Sequence, residues 1–302
     1  MKDYLVKAVS EDKMFRAYAV NAKEMVSVAQ KDHDTWSASS AALGRTLIAT
    51  TMLATSIDKS GAAITVKISG GGPAGQIVAD ADFQGNVKGF ISKPHIHLPL
   101  NAKGHIDVGG AVGHNGVLEV TRASKGEDPY TSDVPLATGE IGDDFTYYLA
   151  QSEQIPSAVG VSVFVNDDNS IGAAGGYMVQ VLPGASDKAI NSLESKLKEM
   201  PELHELLLKN KSPEDILNLI FGDGKVKFLE TMPVLFYCNC SKDKFAKDLK
   251  GLPIKELQSV QKEQHGMEVV CNFCQKKYQY SELELQSIID QAKLDHKNSN
   301  KA

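Results

Sequence analysis

Apolar and polar side chains alternate along residues 3–9 and 14–20, the period of half-buried strands, and the polar run Ser10-Glu11-Asp12-Lys13 reads as the turn between them. The pattern then changes. Residues 36–57, WSASSAALGRTLIATTMLATSI, are apolar or small almost throughout and carry one charge, Arg45. That run is long enough to suggest a membrane span. The central arginine, the many Ser and Thr side chains and the lack of an aromatic belt argue instead for a helix buried on nearly all sides, capped by Asp34 or Thr35. Strand-like stretches follow at 62–69, 75–81 and 86–91, and a second Gly-led run spans 107–120. Asp143-Asp144 caps a helix expected over 145–153. Strands at 159–165 and 171–182 meet through the turn sequence Asn166-Asp167-Asp168-Asn169. Strands paired with sequence neighbours and a few packed helices make this an α+β pattern.

After Pro183-Gly184 the period becomes helical. Ile190, Leu193 and Leu197 lie on one stripe and Leu203, Leu206 and Leu207 on another, and Ser212-Pro213-Glu214-Asp215 opens a last helix that Gly222 ends. These short helices depend on whatever they pack against. The sequence therefore predicts an α+β core domain over 1–183, a helical connector over 184–230, a small cysteine-bearing domain over 231–294 and a disordered tail over 295–302. In the third segment Ser241 and Pro253 open helices, 266–270 reads as a strand, and Ser281-Glu282-Leu283-Glu284 is a capping box for a final helix to about Leu294.

Composition narrows the classes. The 302-residue chain has a net charge of -6, so a general affinity for nucleic acid or anionic membrane is not expected. Residues 231–302 hold eleven basic and nine acidic side chains, an excess too small for a polyanion footprint. The N-terminus shows no signal-peptide pattern, and cysteines confined to one segment fit a reducing compartment, so a cytoplasmic location is expected.

Two glycine- and histidine-rich stretches carry little. Gly70 to Gly75 satisfies the dinucleotide fingerprint letter by letter, but the next residues alternate as a strand where a helix is required, so a hairpin turn is expected. His95 and His97, with His105 and His114 nearby, lack an obvious carboxylate partner for a metal.

The cysteines are the informative signal. All four lie in Cys238-Asn239-Cys240 and Cys271-Asn272-Phe273-Cys274, two close pairs about thirty residues apart. Four soft ligands from two short chelating turns suit tetrahedral Zn²⁺, one ion per chain. The first pair is tighter than the customary knuckle, and such spacing also suits a disulfide between near neighbours. Four readings stand on spacing alone: a permanent structural knuckle, a redox site with Lys242, Lys244, Lys276 and Lys277 favouring thiolate, a nucleic-acid zinc ribbon, and a thiol-disulfide oxidoreductase.

Beyond the cysteine pairs, several segments run in a specific order: Ala41-Ala42-Leu43-Gly44-Arg45, Gly139 to Asp144, Tyr147-Tyr148-Leu149, Ser152 to Ala158, Phe236 to Cys240 and Val270 to Cys274. With them the chain resembles, over nearly its whole length, the heat-shock protein 33 family of redox-regulated chaperones. The resemblance implies an ATP-independent holdase of the cytoplasmic stress response, not an enzyme. It implies a reduced, zinc-bound, quiescent form and oxidation to the disulfides Cys238–Cys240 and Cys271–Cys274 with zinc release. It also implies a dimeric active state that captures unfolding client proteins. Loss of the metal should unfold residues 231 to 292. The connector would then bare Ile190, Leu193, Leu197, Leu206, Leu207 and Phe221 for clients.

Overall fold

A computed structural model describes residues 2–57, 61–124 and 126–299, with side chains to Asp295. The described chain is mixed α/β, and it divides between Tyr237 and Cys238 into two compact units.

The first unit is built on two antiparallel sheets. One has the order β10-β1-β2-β9-β8, from Val226–Pro233, Tyr4–Ser10, Phe15–Asn21, Ile171–Val181 and Ser157–Val165. The other has the order β11-β5-β4-β3-β6-β7, from Leu235–Phe236, Asn86–Ile91, Gln76–Asp82, Ala63–Ser69, Val117–Ala123 and Tyr130–Pro135, with only the β11–β5 contact parallel. Between them lies α2 (Ser37–Thr55), which touches β3, β4 and β5 on one side and β2, β8 and β9 on the other. The expected all-round burial is observed. Every residue from Ala38 to Thr55 is buried except Arg45. A helix so rich in hydroxyls tolerates this because Thr46, Thr50, Thr51 and Thr55 each donate to the carbonyl four residues earlier, leaving no hydroxyl orphaned. Arg45 donates to the Glu140 carboxylate at 2.6 Å.

The N-terminus of α2 differs from expectation. Trp36 is its cap, and neither Asp34 nor Thr35 serves. Asp34 ends the preceding helix α1 (Lys23–His33) in a left-handed conformation, and Thr35 bonds Ser40 through the two hydroxyls. The first amides of α2 are met instead by the loop after β5, whose Pro94 and Ile96 carbonyls accept from Trp36 and Ala38.

The glycine run 70–75 is the expected hairpin connection, joining β3 to β4 in register Ser69↔Gln76. Gly70 and Gly72 are there for closeness. A Cβ at Gly70 would sit 2.3 Å from the Gly113 carbonyl oxygen, because Gly72 and Ala74 bond backbone-to-backbone with Val112 and Ala111 of α3 (Val108–Val112). The helix α4 (Gly142–Gln151) starts three residues before its expected position. Asp144 rather than Asp143 anchors it, accepting from the amides of Ala137, Thr138, Gly139 and Ile141.

The connector helices α5 (Asp187–Glu199), α6 (Leu203–Leu208) and α7 (Pro213–Phe221) cover the outer face of the β1-containing sheet. Leu193, Leu207 and Phe221 are buried there with Val6, Phe15, Ala17 and Val179, Ile190 and Leu197 pack at the margin, and Leu206 is also buried. Ser212 and Asp215 form a reciprocal capping box, with Pro213 at the first helical position.

The seam between units falls seven residues beyond the expected 230/231 boundary. Residues 231–233 end β10 and 235–236 form β11, whose backbones pair with β1 and β5, so this stretch is part of the larger unit.

The second unit contains α8 (Lys242–Leu249), α9 (Ile254–Gln264), the hairpin β12–β13 (Gly266–Val270 and Lys277–Ser281) and α10 (Glu282–Ser299). Its apolar centre is small: Leu249, Leu257, Tyr280, Leu285, Ile288 and Ile289. The last helix continues to Ser299 instead of stopping near Leu294, and residues 300–302 of the expected tail lie outside the described residues.

Candidate metal centre

Each cysteine pair is set by a local device. Cys238 and Cys240 lie in the extended link between β11 and α8, where Ser241 caps α8 by accepting from the Lys244 amide, and the Lys244 ammonium donates back to the Asn239 carbonyl at 2.7 Å. Cys271 and Cys274 form the turn of the β12–β13 hairpin. Gln275 takes a left-handed conformation there (φ 56°), its amide donates to the Cys271 carbonyl, and the Cys271 amide donates to Lys276.

The two turns bring the sulfurs together. Cys238 Sγ lies 3.7 Å from Cys271 Sγ, Cys240 Sγ lies 3.4 Å from Cys274 Sγ, and all four sulfurs fall within 4.8 Å of one another. A tetrahedron of thiolates about 2.3 Å from a central Zn²⁺ has edges of roughly 3.8 Å, so the four residues fit that ion. All four are free thiols, with Cys271 buried and the rest half-buried. Burial raises the Cys238 and Cys274 thiols. At Cys240 burial also acts upward, but hydrogen bonds from Tyr278, Cys274 and Cys238 outweigh it and bring the thiol down to about 7.

Tyr278 also stands in this site, and nothing in the cysteine spacing points to it. Its hydroxyl lies 3.1 Å from Cys240 Sγ and donates to the Cys240 carbonyl, also at 3.1 Å, while its ring packs on Phe245. The available signal was the apolar alternation of Lys277-Tyr278-Gln279-Tyr280-Ser281, which marks β13 and puts Tyr278 and Tyr280 on one face.

Three of the four flanking lysines are engaged away from the sulfurs. Lys242 pairs with Glu284 at 2.6 Å, Lys277 pairs with Glu268 at 3.4 Å, and Lys244 is committed to Asn239. The histidines do not gather either. His95 meets Asp34, His97 meets Ser37, and the His105 ring lies against that of His204. Among the described residues, the four cysteines are the one group of His, Cys, Asp or Glu placed to hold a metal. No described helix is long and apolar enough to cross a membrane.

The family model described as Hsp33 protein matches residues 3–281. The chain belongs to the Hsp33 family. The 33 kDa chaperonin of Lactiplantibacillus plantarum is 58% identical over 295 residues, covering 98% of this chain and all of that protein. The one from Limosilactobacillus fermentum is 56% identical over 290 residues, covering 96% and 99%. The crystal structure of the 33 kDa chaperonin (Hsp33 homolog) from Thermotoga maritima superposes with a TM-score of 0.90 at 34% identity, covering 98% of this chain and all of that one. Membership in the Hsp33 family makes this chain a chaperone, and gives its α+β fold and small cysteine-bearing unit a counterpart in a solved structure.

Proposed function

We propose that the protein is a redox-switched, ATP-independent holdase of the cytoplasm. In this reading the reduced form holds one Zn²⁺ on Cys238, Cys240, Cys271 and Cys274 and is quiescent. The observation that carries the proposal is the convergence of four free thiols, spaced as a tetrahedral ligand set, in a unit whose own apolar centre is small. Bound there, Zn²⁺ would keep all four sulfurs deprotonated and tie the two turns together.

Peroxide transfers an oxygen to one thiolate sulfur, giving a sulfenic acid and hydroxide. The neighbouring thiolate then attacks that sulfur and expels a second hydroxide. Two thiolates lose two electrons, the peroxide O–O bond accepts them, and one disulfide forms. The pairs assigned are Cys238–Cys240 and Cys271–Cys274. In the reduced cluster the cross-turn contacts are close, so proximity in that state does not select these pairs. Along the chain, a bond between residues two or three apart closes the smallest loop and costs least entropy. A disulfide removes two ligands at once, and the two sulfurs left cannot retain a structural metal.

Loss of the tie then unfolds the switch region, from residue 238 because 231–237 are held by β1 and β5. The connector over 184–230 leans on the 1–183 core, and with the switch region unfolded the added stress of warming would loosen it, baring Ile190, Leu193, Leu197, Leu206, Leu207 and Phe221 to unfolding clients. The active form is proposed to be a homodimer acting stoichiometrically, not as an enzyme, and without nucleic-acid or membrane partners.

Peroxide with mild warming should release one zinc per chain and start suppression of client aggregation in the same sample. Replacing all four cysteines by serine should abolish the response to oxidant. Equal aggregation suppression by the reduced, zinc-loaded protein and the oxidised one would overturn the reading.

A further inference from the structure

The two cysteine turns are built unequally. The Cys271–Cys274 turn closes on itself through Gln275 and Lys276 and sits in a strand hairpin. Residues 238–240 have no regular secondary structure of their own. What fastens them comes from side chains. The Lys244 ammonium holds the Asn239 carbonyl, and the Tyr278 hydroxyl stands 3.1 Å from both the sulfur and the carbonyl oxygen of Cys240. Tyr278 belongs to β13, the strand that leaves the second turn, so one hydroxyl links the ordered turn to the loose one across 38 residues. The neighbouring hydroxyl, on Tyr280, bonds the Lys242 carbonyl, and no bond from it to a sulfur is seen. The two tyrosines thus differ in one respect useful for experiment.

We propose that Tyr278 is a positioning residue of the switch: its hydroxyl holds the first turn in ligand geometry and shields the Cys240 sulfur, so it sets how readily the Cys238–Cys240 pair reacts with peroxide. The inference rests on the redox reading above. Peroxide is attacked by a sulfur lone pair, and a hydrogen bond donated to a thiolate stabilises the charge that makes that lone pair reactive. The single hydroxyl proton is divided between sulfur and carbonyl oxygen, so the shielding and the fastening are coupled. Movement of the turn that lengthens the contact exposes the sulfur at the moment the ligand geometry is lost. The electron balance is that of the disulfide step already given, and Tyr278 takes no part in it beyond its hydrogen bond.

The test uses full-length, reduced, zinc-loaded protein as wild type, Tyr278→Phe and Tyr280→Phe. Each is pulsed with limiting peroxide and quenched with an alkylating reagent. Mass spectrometry then measures oxidation separately for the peptide with Cys238 and Cys240 and for the one with Cys271 and Cys274. Because the one proton is shared with the carbonyl, its loss counts as that of an ordinary hydrogen bond and should make the first pair of Tyr278→Phe react about three- to tenfold faster than in wild type. The second pair should change less than about twofold, and Tyr280→Phe should keep the wild-type ratio. An unchanged ratio in Tyr278→Phe, or an equal shift in Tyr280→Phe, overturns the proposal. Should Tyr278→Phe not retain zinc, 3-fluorotyrosine at 278 keeps ring and hydroxyl and is the stronger donor. It should slow oxidation of the first pair, and an unchanged or faster rate counts against the idea. The readout is sulfur chemistry, independent of client capture. If wild-type oxidation fails to start aggregation suppression, the proposed function falls while the tyrosine's role is still decided by the ratio.

Discussion

Helix α1 begins at Lys23, and its cap residue, Ala22, has no side chain able to accept a hydrogen bond. Asp3, the residue just before β1, does the work instead, its Oδ2 accepting the Met25 amide at 2.7 Å. The arrangement is costly because Asp3 is buried and its Oδ1 has no partner. Burial, opposed by the amides of Met25 and Glu24, pushes the carboxyl up to about 6 from 3.8. The folded state therefore binds a proton that the unfolded state releases between pH 4 and 6. The stabilisation from Asp3 is complete below the unfolded value and is lost as pH rises through 6. Urea titrations followed by the single Trp36 should show wild-type stability falling across that window by up to about 3 kcal/mol relative to Asp3→Asn, which keeps the acceptor without the charge. Parallel pH profiles for the two proteins would refute this. The same case shows what a sequence reveals at this scale. Ser212, Ser241 and Ser281 are legible as caps because each partner lies three residues away. Asp3 on Met25 and Tyr278 on Cys240 are not, because 22 and 38 residues separate the partners.

Elements were legible where their period was local. The strands of the hairpins and the buried helix α2 follow from two-residue alternation and from an unbroken apolar run. In contrast, α1 lacks a start signal because its cap is remote, and β7 and β13 are short strands whose identity comes from the partner across the hairpin. The connector is the instructive intermediate. Its leucine stripes are visible in the sequence, but the surface they cover joins the β1–β2 hairpin near the start of the chain to β9, which comes from Ile171–Val181. Ile216 of α7, which lies outside both leucine stripes, is wholly buried on that surface. Truncating Ile216→Ala should destabilise the docked connector by about 2–4 kcal/mol through lost burial and an unfilled cavity. If connector closure is what hides the client surface, this variant should suppress aggregation partly while still reduced and zinc-loaded. Hydrogen exchange over 187–221 should rise in parallel. Faster exchange with no gain of chaperone activity would separate connector opening from client binding and move the client site elsewhere.

Across the whole molecule the two units differ in what keeps them folded. The first encloses α2 between two sheets with an apolar core that draws on nearly all its strands. The second has six buried apolar residues at its centre. A core of that size supplies rarely more than ~3–5 kcal/mol, whereas a four-cysteine zinc site in a finger peptide contributes on the order of 10–16 kcal/mol. The comparison decides the order of events on metal removal. Chelation of zinc from reduced protein, with no oxidant present, should collapse the dispersed NMR signals of residues 238–294 while those of the sheets, including β10 and β11, persist. The boundary itself is informative. Were melting to begin at 231, β10 would have to leave β1 in spite of the backbone ladder from Tyr4↔Pro233 to Ser10↔Val226. The connector adds a second discrimination. Its apolar side chains pack on the sheet of the first unit, so chelation alone should leave it closed if that packing suffices. It should open only with the added stress of warming. Aggregation suppression that appears on chelation at low temperature would instead mean that the folded switch unit itself holds the connector down.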